Sequence, residues 1–144
     1  MGFPKVKILL VEDNLADAKL TTKLFTRCED IDKDCVETAG DGEQAWQMLN
    51  DSEGLRFNLI FLDLNLPKIN GLELLTMIRE SDKLSHLPVI ILSSSIANSD
   101  MKKAFELRAN AYLKKPADLM EYQALMKKID GFWFQSCKLP RINA

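Results

Sequence analysis

The sequence predicts an α/β fold: one parallel sheet of five strands with helices on both faces. Three observations predict it. Five short apolar runs recur along the chain, helical patterns fill the gaps between them, and bare acids follow two of the runs. Runs rich in Val, Ile and Leu without alternation suit parallel strands covered on both faces. Strand–helix repetition implies right-handed crossovers. Five such units in a chain of this size fit the flavodoxin-like order 2-1-3-4-5.

The elements follow in order. Lys5 to Val11, "KVKILLV", is the first strand, and Asn14 or Asp17 caps a helix whose apolar face is Ala18, Leu20, Leu24 and Phe25. Cys35 to Ala39 is a weaker second strand. A turn at Asp41-Gly42 then leads into Ala45, Trp46 and Leu49 at helical spacing. Leu59 to Leu62 is the third strand, and Asn70-Gly71 opens a helix carrying Leu74, Leu75 and Ile78. Val89 to Leu92 is the fourth, before a helix capped within Asn98 to Asp100 and turning Met101, Ala104, Phe105 and Leu107 inward. Ala111 to Leu113 is the fifth. Asp118 starts the last helix, with Leu119, Tyr122, Leu125, Met126, Ile129 and Trp133 on its inner face. No repeat, low-complexity tract or Pro/Gly/Ser linker interrupts the pattern. The expectation is one domain over 1–144, with a core of about 6–130 and a C-terminal extension of about 131–144 that is too short for an output domain.

Composition narrows the class. The 144 residues are 47% hydrophobic and 28% charged, as in ordinary globular domains. Net charge is −2 with both signs mixed along the chain, so no electrostatic footprint for nucleic acid is present. The run "ILLV" is far too short for a signal-peptide core or a membrane span. Met1-Gly2 fits no myristoylation site, because Val6 stands where Ser or Thr is needed. Cys28, Cys35 and Cys137 are odd in number and form no C-x-x-C pair, so they read as free thiols in a reducing, cytoplasmic setting.

The acids carry the chemistry. Strand one ends in Glu12-Asp13 and strand three in Asp63. In the order 2-1-3-4-5, the crevice at the carboxyl ends of strands one and three is where such sheets bind ligands. Like charges about 4 Å apart repel by roughly 4 kcal/mol at an effective dielectric near 20. Converging acids therefore need a cation among them or a retained proton. Oxygen-only ligands without nearby His or Cys favour Mg²⁺ over Ca²⁺, with a carbonyl just past the strand and waters completing the shell. Taken singly, Glu12, Asp13 and Asp63 also suit helix and turn caps; their meeting at one switch point favours a site. Strand four brings Ser93 to the same rim and strand five brings Lys115. Carboxylate, divalent cation, hydroxyl and ammonium suit a phosphoryl group, with Asp63 attacking phosphorus to give an acyl phosphate.

At this point the sequence resembles the receiver domains of two-component response regulators, over Val6 to about Ile129. The matching stretches are "LLVEDN", "LIFLDLNLPKINGLELL", "PVIILSSS" and "ANAYLKKP". The resemblance implies that Asp63 is the phosphoacceptor, that Glu12 and Asp13 hold Mg²⁺, and that Asn65 gives the metal its backbone carbonyl. It also implies that Ser93 closes on the phosphoryl group, Tyr112 is the aromatic switch and Lys115 the basic partner. Ser93 stands where many receivers have threonine, and Ser94 is bulkier than the common alanine. The Lys115-Pro116 bond is expected to be cis, aiming the lysine inward through a tight turn.

The donor implied is a phosphohistidine on a sensor kinase, since His86, the single histidine here, lies in the turn "LSHLP" and reads as a surface residue. The connections "CEDIDKDC" and "NDSEGLRFN" and the tail "GFWFQSCKLP" look like single-domain regulators partnered with bacterial phytochrome kinases. Two other classes fit the residues less well. A phosphatase of the haloacid dehalogenase type wants a second acid where Asn65 stands and room for a cap domain. An unphosphorylated adaptor would not need the complete set of site residues. The tail's Phe132, Trp133, Phe134 and Leu139 either fold back on the core or join a homodimer through the face of helix four, strand five and helix five.

Overall fold

The computed structural model describes residues 6–142. Four residues from Ile8 to Val11 form β1, and α1 follows over Leu15–Thr26. A 3₁₀ turn at Lys33–Cys35 leads into β2, Val36–Ala39, and α2, Gly42–Asn50. Then come β3 (Leu59–Leu62), α3 (Gly71–Glu80), β4 (Val89–Ser93), α4 (Asn98–Glu106), β5 (Ala111–Lys114) and α5 (Leu119–Ile129). A π-helical turn, Asp130–Ser136, continues directly from α5. All five strands are parallel, in the order β2-β1-β3-β4-β5. The expected flavodoxin-like fold is therefore present.

Alternate residues of each central strand enter opposite layers. Leu9, Val11, Ile60, Leu62, Val89 and Ile91 pack with Ala45 and Leu49 of α2, Leu74, Leu75 and Ile78 of α3, and Ala104 of α4. Ile8, Leu10, Leu59, Phe61, Ile90 and Leu92 pack with Leu24 and Phe25 of α1 and with Tyr122, Met126 and Ile129 of α5. Burying both faces explains why the strands carry no polar alternation. In register, Val11 lies beside both Ala39 and Leu62, so β1 and β3 end level with one another. The next residues continue the ladders: Glu12 N–H donates to Ala39 O and Asp63 N–H to Val11 O, each at 3.0 Å. That register is what brings the acids together.

Several expectations need correction. Of the first strand's expected span, Lys5 lies outside the described residues, and the sheet begins at Ile8. Cys35 belongs to the 3₁₀ turn rather than to β2. Of the two caps expected for α1, Asn14 is the one used, as expected, accepting from Asp17 N–H at 3.0 Å. The N-cap of α4 is Ala97, which offers no side-chain cap. Phe105 and Leu119 are 54% and 51% exposed rather than inward. Only Ala104 of α4 is fully covered, and Phe105 sits about 100° further round that helix. The covered stripe of α5 starts at Tyr122, Leu119 being the helix's first residue. Among the described residues no helix is long and apolar enough to cross a membrane.

Candidate functional site

Glu12, Asp13 and Asp63 each offer a carboxylate oxygen, and these oxygens lie within 4.8 Å of one another. Glu12 and Asp63 are each only 5% exposed, whereas Asp13 reaches solvent. Lys115 comes up from the end of β5 and its ammonium bonds Glu12 Oε1, Asp63 Oδ2 at 2.8 Å and Asp17 Oδ2 at 3.3 Å. The Lys115-Pro116 bond is trans, correcting the expected cis form: no described peptide bond is cis. Lys115 N–H donates to Ser93 O at 2.9 Å, so an extended continuation of the β4–β5 ladder carries the lysine to the site without a tight turn.

Burial pushes the Glu12 carboxyl up to about 7. The Lys115 bond and the Asn14 N–H at 3.1 Å pull it down, while the charge of Asp63 adds to the rise. Burial disfavours the Lys115 charge, but bonds to Asp63 and Glu12, together with their negative charges, hold the ammonium above its ordinary range. The other oxygen of Asp63, Oδ1, accepts the Asn65 N–H at 3.1 Å. One ammonium therefore faces an excess of carboxylate. The donors are all oxygen, with no histidine or thiol among them, and this set fits a hard divalent cation.

Ser93, wholly buried at the end of β4, accepts the Ser95 N–H on its Oγ at 3.2 Å. Ser95 is a junction. Its hydroxyl donates to Asp100 Oδ2 at 2.6 Å, and its carbonyl accepts the Tyr112 hydroxyl at 2.9 Å. A chain of bonds thus runs from the rim of the acid cluster through the β4–α4 loop to β5. Ser94 points to solvent, so its extra bulk does not crowd the acids, and His86 is exposed as expected.

The model of the response regulator receiver domain matches residues 8–130. The chain belongs to that family. This receiver is 36% identical over 141 residues to response regulator Rcp1 of Synechocystis sp. (strain ATCC 27184 / PCC 6803 / Kazusa), covering 95% of this chain and 94% of that one. It is 35% identical over 129 residues to the probable methanogenesis regulatory protein FilR2 of Methanothrix harundinacea (strain 6Ac), covering 88% and 82%. Among solved structures it is similar to the phosphorylated cyanobacterial phytochrome response regulator RcpA, with a TM-score of 0.87, 35% identity and coverage of 95% and 99%. The Mn²⁺-bound form of Rcp1 gives a TM-score of 0.86 at 34% identity, covering 96% and 100%.

As a receiver, the chain is a phosphorylation switch that accepts its phosphoryl group from a histidine kinase, and it is not a classical enzyme. The fold assembles Glu12, Asp13, Asp63 and Lys115 in one place. Ser93 stands at the end of the neighbouring strand, and Tyr112 is tied to it through Ser95. Two participants escaped sequence reasoning. Asp17 reads from sequence only as a helix cap, and its ion pair with Lys115 follows from how α1 packs rather than from any spacing. Ser95 was one serine of three, and nothing in "SSS" singles out the one whose carbonyl meets Tyr112.

Proposed function

We propose that Asp63 is the phosphoacceptor of this receiver and that Glu12, Asp13, Asp63 and the backbone carbonyl of Asn65 hold Mg²⁺. The observation that carries this reading is the pairing of a 5%-exposed Asp63 with Lys115 at 2.8 Å, inside a cluster of acids with no histidine or thiol. When bound, Mg²⁺ supplies positive charge against the phosphoryl oxygens. The chain's own residues do the rest. A carboxylate oxygen of Asp63 attacks phosphorus, the bond from phosphorus to the donor's imidazole nitrogen breaks, and the acyl phosphate forms. Lys115 then gives one of its N–H bonds to a phosphoryl oxygen. Ser93 Oγ, now an acceptor from Ser95 N–H, turns to donate to another. Because Ser95 O holds the Tyr112 hydroxyl, moving the loop releases Tyr112, a two-state element biased by local charge.

The test is intact-mass measurement after acetyl phosphate and Mg²⁺ are added. Wild type gains one phosphoryl group, and Asp63→Asn gains none while keeping its fold. A fully phosphorylated Asp63→Asn would overturn the assignment.

The kinase partner we propose is of the phytochrome type. The likeness to RcpA, a phytochrome response regulator by name, supports this. We also propose that the chain acts in the cytoplasm as one domain over 1–144, with a core of about 6–130 and an extension of about 131–144. Its output is a symmetric dimer through α4, β5 and α5, where exposed Ile96 and Phe105 lie at the first and Phe132 follows the last. Trp133, Phe134 and Leu139 pack on the chain's own core, so Phe132 is the part of the tail left for a partner. Sedimentation with and without phosphodonor checks this. A monomer in both states at tens of micromolar excludes the dimer.

A further inference from the structure

A lysine ammonium has three N–H bonds to give. In Lys115 all three have carboxylate acceptors: Glu12, Asp63 and Asp17. No donor is left for an incoming phosphoryl oxygen, so one of the three acceptors must give up its bond. The acceptors are not equal. Glu12 and Asp63 are buried, with side chains 4% and 6% exposed, and losing the lysine would strand a charge away from water. The Asp17 side chain is 41% exposed and, at 3.3 Å, makes the longest ion pair of the three. Water can replace the lysine there at little cost. Nor is Asp17 at this spot by accident of a loose loop. Its backbone N–H is held by the Asn14 cap, and one turn later the Thr21 hydroxyl lies 2.5 Å from that of Tyr122 on α5, fixing α1 against the helix that follows Lys115.

We infer that Asp17 is a positioning residue for phosphotransfer: it holds in reserve the Lys115 N–H that the phosphoryl group takes, and sets how readily that bond is released. The inference rests on Asp63 being the phosphoacceptor. Its charge opposes phosphorylation twice. It competes for the lysine, and it repels an anionic donor approaching the same ammonium. A neutral amide at this position still accepts a hydrogen bond but binds the ammonium more weakly.

The experiment compares wild type, Asp17→Asn and Asp17→Glu in acetyl phosphate with Mg²⁺, following phosphorylation by intact mass. Asp17→Asn should be phosphorylated about twofold to fivefold faster, matching the loss of a half-exposed ion pair, and Asp17→Glu should return to the wild-type rate. The ¹⁵N resonance of the Lys115 side chain, recorded without metal or phosphodonor, should shift in Asp17→Asn and stay in place in Asp17→Glu. A role confined to the first turn of α1 would lower the melting temperature but move neither quantity. An unchanged or slower rate in Asp17→Asn, with wild type phosphorylated normally, overturns the inference alone. Failure of wild type to take up a phosphoryl group overturns the Asp63 reading beneath it.

Discussion

Among the described residues, Asp13 differs from its neighbours in having no ammonium partner. Lys115 serves Glu12, Asp63 and Asp17, and among the described residues no cation lies within ion-pair distance of Asp13. Its carboxylate nevertheless approaches both buried acids within 4.8 Å. Neutralising it relieves repulsion and removes a proposed ligand. Asp13→Asn should therefore unfold in urea at an unchanged or higher midpoint when divalent metal is chelated, yet bind Mg²⁺ about tenfold or more weakly. A lower metal-free midpoint together with unchanged Mg²⁺ affinity would show that Asp13 is only a helix-end acid. The sequence made this acid legible because it ends an apolar strand. It left Asp17 illegible as a lysine partner, since the pairing joins residues 98 apart in the chain. That pairing depends on α1 being docked against α5, a fact of packing rather than of pattern.

At the scale of elements, the approach of α3 to β3 governs Asp63, the proposed phosphoacceptor. A Cβ on Gly71 would lie 2.4 Å from Asp63 O and 2.5 Å from Leu64 Cα, backbone against backbone. Gly71→Ala should cost about 2 kcal/mol in chemical denaturation and also slow phosphorylation, because relief must come from moving Asp63. Loss of stability with phosphorylation untouched would mean that α3 yields instead. The docking of α1 on α5 carries a pH signature. Burial raises the Tyr122 hydroxyl pKa, and the Thr21 bond and Lys115 charge only partly counter it. A raised pKa means that the stabilising contribution is complete below the ordinary phenol value of 10.0 and is lost as pH climbs above it. Denaturation midpoints of wild type and Tyr122→Phe should therefore converge as pH rises past that value. Parallel curves would place the hydroxyl in water. Helix boundaries were legible where a cap was chemical, as at Asn14, Asp41, Asn70 and Asp118. They were not at α4, where Ala97 stands in the N-cap and Ser95 binds Asp100 from outside the helix.

For the whole molecule, the two hydrophobic layers close with the C-terminal tail in one of them. Phe134 is buried and meets Phe25 edge-on at 5.9 Å, and Phe25 in turn lies tilted against Phe61 of β3 at 4.8 Å. The tail is thus tied through one intermediate ring to the strand that carries Asp63. Phe134→Ala should cost about 3 kcal/mol, read by thermal or chemical denaturation; a change near zero would mean that the ring contributes no core. The three-layer architecture was legible in full, because the apolar runs and their order determine it. The ring that enters the core was not. Periodicity of 3.6 from Tyr122, Met126 and Ile129 points to Trp133, but Phe134 goes in and Trp133 is only half-buried.

The reason is the π-helical turn, where Cys137 N–H reaches back to Phe132 O, five residues away, rather than four. Written in codons, such a turn is one amino acid inserted into an α-helix without breaking it. Gly131 is the natural surplus residue, since a Cβ there would meet nothing within 4 Å. Removing that single codon would set the former Phe134 four places after Ile129, where an ordinary α-turn delivers it to the same layer. The shortened protein should melt within about 4 °C of its parent, while Phe134→Ala falls well below both. This tail should therefore tolerate a one-codon deletion that helical proteins usually punish.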